Sequence, residues 1–148
     1  MPMQKNTKQI LVPFVGNYGS NKAFSSILDI ARKDNSKIHL LTCLKEKISY
    51  GFFKSKADKI HLKKQREKII SKTSKWETLA KKFNIPIKTK VVKCDIASKT
   101  ILDYAKENKI DLIAMTKTNP KSHVDKIYLE ETTRNVFEDS PCSFLYLR

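Results

Sequence analysis

Five short apolar runs, each parted from the next by a stretch of helical periodicity, leave this chain few folds to choose from. The runs are 8–15, 38–44, 87–92, 111–115 and 144–147. Each is the length of a buried strand, and the fourth and fifth, Asp111-Leu112-Ile113-Ala114-Met115 and Phe144-Leu145-Tyr146-Leu147, are the clearest. Between them, apolar residues recur at helical spacing: Ala23, Phe24, Ile27, Leu28 and Ala31, then Leu62, Ile69, Trp76, Ala80 and Phe83, then Ile101, Leu102 and Ala105, then Val124, Ile127, Tyr128 and Val136. Strand and helix in strict alternation predict an α/β domain. Its sheet is parallel, with helices on both faces and right-handed crossovers. In such sheets ligands bind beyond the carboxyl ends of the strands. The polar loop after Met115, Thr116-Lys117-Thr118-Asn119-Pro120-Lys121-Ser122, is therefore the first place to look for function.

Local signals agree. Gly16-Asn17-Tyr18-Gly19 is a turn, Ser20 is placed to cap the first helix, and Asp34-Asn35-Ser36 ends it. Pro13 fits the end of its strand better than the middle. The third run alternates, Ile87-Lys88-Thr89-Lys90-Val91, as an edge strand does. Asp95 is the expected cap of the third helix. The connection 45–57 is polar except for Tyr50, Phe52 and Phe53. A long basic helix over 58–84 follows it.

With 148 residues the chain suits one domain, 8–148, behind a disordered segment 1–7. It shows no signal peptide and no apolar run of membrane-spanning length, so a cytoplasmic protein is expected. Cys43, Cys94 and Cys142 are scattered and read as buried thiols; His39, His61 and His123 offer no metal-binding pattern. The net charge of +15 is uneven: residues 45–90 hold fifteen basic and four acidic groups, whereas 91–148 hold nine of each. On the long helix Lys64, Lys68, Lys72 and Lys75 form one ridge. Such a ridge either solvates a surface or attracts polyanions.

The order of these pieces resembles the universal stress protein family. The residues that carry the likeness are Ile10-Leu11-Val12-Pro13 followed by Gly16, then Ile38-His39-Leu40-Leu41, Ile101-Leu102-Asp103-Tyr104-Ala105, 111–115, and Ser140-Pro141-Cys142-Ser143-Phe144-Leu145-Tyr146-Leu147-Arg148. The resemblance implies a single-domain Rossmann-like or flavodoxin-like (adenine nucleotide alpha hydrolase-like) three-layer sandwich. Its sheet would have five parallel strands in the order 3-2-1-4-5. It also implies a homodimer joined through the last strand, here Phe144, Leu145, Tyr146 and Leu147. Burying that apolar edge would satisfy its backbone groups as well.

Some members of that family bind ATP, through an Asp at the end of the first strand, a Gly-x-x-Gly loop after the fourth, and a Gly followed by Ser or Thr opening the last helix. Here the corresponding positions hold Val15, then Thr116 and Asn119, then Glu130 or Glu131 for the glycine and Glu131 or Thr132 for the hydroxyl. Pro13, Cys43 and Met115 complete the expected pocket. A phosphate cradle needs close, exposed backbone N–H groups, which glycine provides and Asn119-Pro120 does not. A glutamate about 4 Å from a phosphate would oppose it by roughly 4 kcal/mol at an effective dielectric near 20. Near a helix start the same glutamates would favour the dipole instead.

The sequence therefore favours a dimeric binding or regulatory module of the stress response that takes no ATP, with an unidentified protein partner. One alternative is a member that binds ATP or AMP through an altered loop, with Thr116, Thr118, Ser122 and Thr132 as donors and Lys117 or Lys121 facing phosphate. Another is non-specific polyanion binding through the basic helix. No nucleophile elbow, Walker A lysine or HExxH motif supports catalysis.

Overall fold

Alternating side chains along β1 (Gln9–Val15) divide the interior of this protein in two. Ile10, Val12 and Phe14 point to one face of the sheet, Leu11 and Val15 to the other. The computed structural model describes residues 8–16, 19–45 and 56–148. Segment 1–7, the turn residues Asn17 and Tyr18, and the aromatic connection with Tyr50, Phe52 and Phe53 lie outside them. β1 is followed by α1 (Asn21–Asp34), β2 (Lys37–Lys45), α2 (Lys56–Lys82), β3 (Ile87–Cys94), α3 (Ala97–Glu107), β4 (Leu112–Thr116), α4 (His123–Asp139) and β5 (Ser143–Leu147). The strands are parallel and lie in the order β3-β2-β1-β4-β5.

The two helical layers follow from these faces. α1 and α2 cover Ile10, Val12, Phe14, Ile38, Leu40 and Ala114, using Phe24, Ile27, Leu28, Trp76 and Ala80. α3 and α4 cover the other face, where Leu11, Leu41, Cys43, Ile113 and Met115 meet Ile101, Tyr104, Ala105 and Val136. The result is a three-layer sandwich. Trp76 anchors α2: it stacks on Phe24 at 4.9 Å between ring centroids, leans on Phe14, and donates its indole N–H to Asn21 Oδ1 at 2.8 Å. Gly19 makes this possible, since a Cβ there would come within 3.0 Å of both Phe14 and Trp76.

Most local signals act as expected. Ser20 accepts the Ala23 N–H, and Asn35 ends α1 in the left-handed conformation at φ 51°. α2 starts two residues earlier than the predicted 58 and stops at Lys82, because Asn84 turns left-handed at φ 57°. Phe83 therefore leaves the apolar stripe and lies under the Arg32 guanidinium, 4.4 Å from its ring centre. Asp95 does not cap α3; Ile96 holds the cap position with no side-chain bond of its own.

One polar group sits deep between β2 and α3. The His39 side chain donates Nε2–H to Gln9 Oε1 at 2.6 Å and accepts the Tyr104 hydroxyl proton on Nδ1 at 2.7 Å. An amide oxygen only accepts, which fixes this neutral tautomer. Burial, with Lys37 and Lys88 nearby, holds the His39 pKa at about 4, below its usual 6.5. The unfolded chain then takes up the proton first as pH falls. Stability is complete above about pH 6.5 and is lost towards pH 4, by about 3 kcal/mol from this group. Urea melts at neutral and mildly acidic pH should show that loss, and His39→Gln should flatten it. An unchanged slope in the variant would mean that other groups carry the acid sensitivity.

Candidate functional site

The strand order reverses between β1 and β4, and there the sheet opens. β1 pairs with β2 all the way from Gln9↔Lys37 to Val15↔Cys43, but with β4 only at Ile10↔Leu112 and Leu11↔Ile113. Pro13 lies in the parted stretch, where it has no N–H to give a ladder. A crevice at this point of an open α/β sheet is the usual ligand site.

Here the chain covers that end of the sheet itself. Ser122 caps α4 by accepting the Asp125 N–H at 3.0 Å, so the helix begins at His123. Two turns on, Tyr128 and Leu129 pack on the cluster that contains Val15, Cys43, Cys94, Ala97 and Met115. The Tyr128 hydroxyl accepts the Ala97 N–H at 3.2 Å, joining α4 to the start of α3. It meets the first-turn donor that Asp95, exposed in solvent, leaves unmet. Burial raises the Tyr128 pKa, so the phenol stays protonated. Beneath it, a hydrogen bond with Cys94 and burial push the Cys43 thiol well up, which makes it a poor nucleophile. Pro13, Val15, Cys43 and Met115 are thus core residues, all buried.

The expected phosphate positions have other duties too. Gly16, left-handed at φ 62°, donates its N–H to the Cys43 carbonyl at 2.8 Å, and Lys117 donates its N–H to the Leu147 carbonyl at 2.7 Å. Glu130, Glu131 and Thr132 do not open the last helix; they lie in the middle of α4. Their backbone N–H groups belong to the helix ladder, and the dipole advantage expected for the glutamates falls to Asp125 in the first turn. Thr132 is buried and donates its hydroxyl to the Tyr128 carbonyl at 2.8 Å, so it offers nothing to a ligand.

A groove of about 840 Å³ opens outside the crevice, between the loop after β4, α4 and β5. Thr116, Lys117, Thr118 and Asn119 line one end; Lys126, Glu130 and Arg134 line the helix side; Phe137, Phe144 and Tyr146 form an aromatic wall. Phe137 meets Phe144 edge to face at 5.4 Å and is 61% exposed. The structure brings Thr116, Asn119 and Glu130 together here with two residues of the last strand. No residue of β1 or β2 contributes.

The basic ridge is also redrawn. Lys64, Lys68 and Lys75 are exposed, but Lys72 turns inward and donates to the Gly19 carbonyl at 2.9 Å. Burial lowers its pKa. Among the described residues no group of three His, Cys, Asp or Glu is placed to hold a metal, and no helix is long and apolar enough to cross a membrane.

The model of the universal stress protein family matches residues 6–148. No curated protein matches the chain. Among solved structures, the universal stress protein UspA from Lactobacillus plantarum is similar at 21% identity and TM-score 0.79, covering 98% of this chain and 100% of that one. The universal stress protein from Archaeoglobus fulgidus in complex with dAMP aligns at 14% identity and TM-score 0.60, over 95% of this chain and 98% of its own. A family member from Arabidopsis thaliana with AMP bound aligns at 11% identity and TM-score 0.60, over 95% and 90%.

The Tyr128 contact makes a prediction. Tyr128→Phe should lose about 1 kcal/mol in chemical denaturation, the worth of one hydrogen bond, and Tyr128→Ala about 3 kcal/mol. If the phenylalanine variant matches the parent, the hydroxyl does not hold the start of α3.

Proposed function

The chain belongs to the universal stress protein family, and from that premise we propose that it is a member that takes no ATP, working as a dimeric, non-enzymatic binding or regulatory module of the cytoplasmic stress response. The observation that carries this reading is the early start of α4. It puts Glu130, Glu131 and Thr132 in mid-helix and packs Tyr128 and Leu129 on the buried cluster that holds Val15, Cys43 and Met115. The backbone N–H groups of Gly16 and Lys117 already donate to the Cys43 and Leu147 carbonyls, so neither is offered to a phosphate.

A second reading has one observation in its favour. The groove beside β5 offers Lys117, Lys126 and Arg134 with an aromatic wall, a set that suits AMP or ATP docked outside the crevice. Solved family members in complex with dAMP and with AMP make nucleotides the natural ligands to test. Freshly purified protein should release no nucleotide on denaturation, as read by mass spectrometry, and should give no heat with ATP or AMP. Tight binding that Lys126→Gln and Arg134→Gln abolish would replace the first reading by the second.

The two sheet edges support the dimer. β3 carries Lys88, Lys90 and Lys93 on its exposed positions, which repel a further strand, whereas β5 carries no charge from Ser143 to Leu147. Light scattering at tens of micromolar should return a dimer for the parent and a folded monomer for Tyr146→Lys. A parent that runs as a monomer would end the dimer proposal.

A further inference from the structure

We propose that the outer face of α2 is a docking surface for the phosphate backbone of duplex nucleic acid. The inference is independent of whether the crevice or groove takes a nucleotide, and of the β5 dimer, because α2 packs at the β3 end of the sheet.

The charge on α2 is segregated. From Lys56 to Lys82 the helix has ten basic and three acidic residues, and one of the acids, Glu77, is occupied by the Thr89 hydroxyl. Lys64, Lys68, Lys75 and Lys82 are all exposed and follow one another at steps of four, seven and seven residues. Those steps return to nearly the same side of a helix, so the four ammonium groups form a line about 27 Å long. The line is also stiffly held. Trp76 locks the helix to Phe24 and Asn21, and Lys72 ties it to the turn at Gly19.

The chemistry of the face selects among polyanions. A helix that lies in a membrane surface needs a free apolar face. The apolar face of α2, Ile69, Trp76 and Ala80, is already buried against the sheet. Ile60 and Ile70 are exposed singly, ten residues apart, and make no such face. A straight row of point charges fits instead a target whose charge is linear and dense, and duplex nucleic acid carries one charge per about 1.7 Å of its axis. Lysine ammonium groups with no tryptophan, tyrosine or phenylalanine interleaved on the exposed line act on phosphate as point charges rather than as a base-reading set. Binding should therefore ignore sequence.

Anisotropy titrations of a random-sequence DNA duplex of two helical turns test the proposal. With three or four phosphates neutralised, affinity should fall roughly 40- to 150-fold between about 50 and about 200 mM salt. The triple variant Lys64→Gln, Lys68→Gln, Lys75→Gln should flatten that salt slope by about three while melting like the parent. The control Lys99→Gln, Lys106→Gln, Lys109→Gln removes the same charge from exposed positions elsewhere and should keep both affinity and slope. No binding at low salt, equal losses in both variants, or binding to phosphatidylserine vesicles but not to DNA would each overturn the assignment.

Discussion

A parallel sheet whose first strand parts from its fourth exposes apolar surface that must be covered. Pro13 helps impose the parting, since it cannot donate to a ladder, and Val15, Cys43 and Met115 are left at the opening. In this chain the cover is covalent. α4 starts at His123, packs Tyr128 and Leu129 on the cluster that holds those residues, and fastens the phenol to the first amide of α3. One hydrogen bond thus joins the two helices of that layer and meets a first-turn donor of one of them. The apolar character of Val15 follows from the same demand, because a carboxylate in that buried cluster would be left without a partner.

The other layer rests on an aromatic stack. Phe14, Phe24 and Trp76 come from three elements distant in sequence, and the bare backbone of Gly19 lets them close. Lys72 finishes that corner by bonding the Gly19 carbonyl, at the cost of some hydration of its ammonium group. Seating α2 so firmly on its apolar side directs the remaining lysines outward as a fixed pattern.

The alternation of strands and helices was legible in the sequence, because buried parallel strands read as continuous apolar runs and helices as a 3.6-residue rhythm. So were caps such as Ser20 and Asn35, whose partners lie within a turn. The misjudged positions depend on distant partners. Asp95 has the right chemistry for a cap, but the amide nearby is claimed by Tyr128, 31 residues on. Lys72 lies between the buried and open sides of α2, and only the position of Gly19 decides which way it turns. The family resemblance implies a helix start at Glu130 and Glu131, a position that no local signal in this chain marks. Ser122 nucleates it two turns sooner.

The unequal edges of the sheet have a further consequence. A strand edge is a template, and a sheet with two templates can add copies of itself without limit. Lys88, Lys90 and Lys93 disable one template by placing like charges where a neighbour would have to lie. Growth would have to start at β5, and a two-fold pairing there would consume the template on both copies at once. In the proposed dimer the lysines on β3 would thus act as a terminator, letting the fold keep a sticky strand without becoming a fibre.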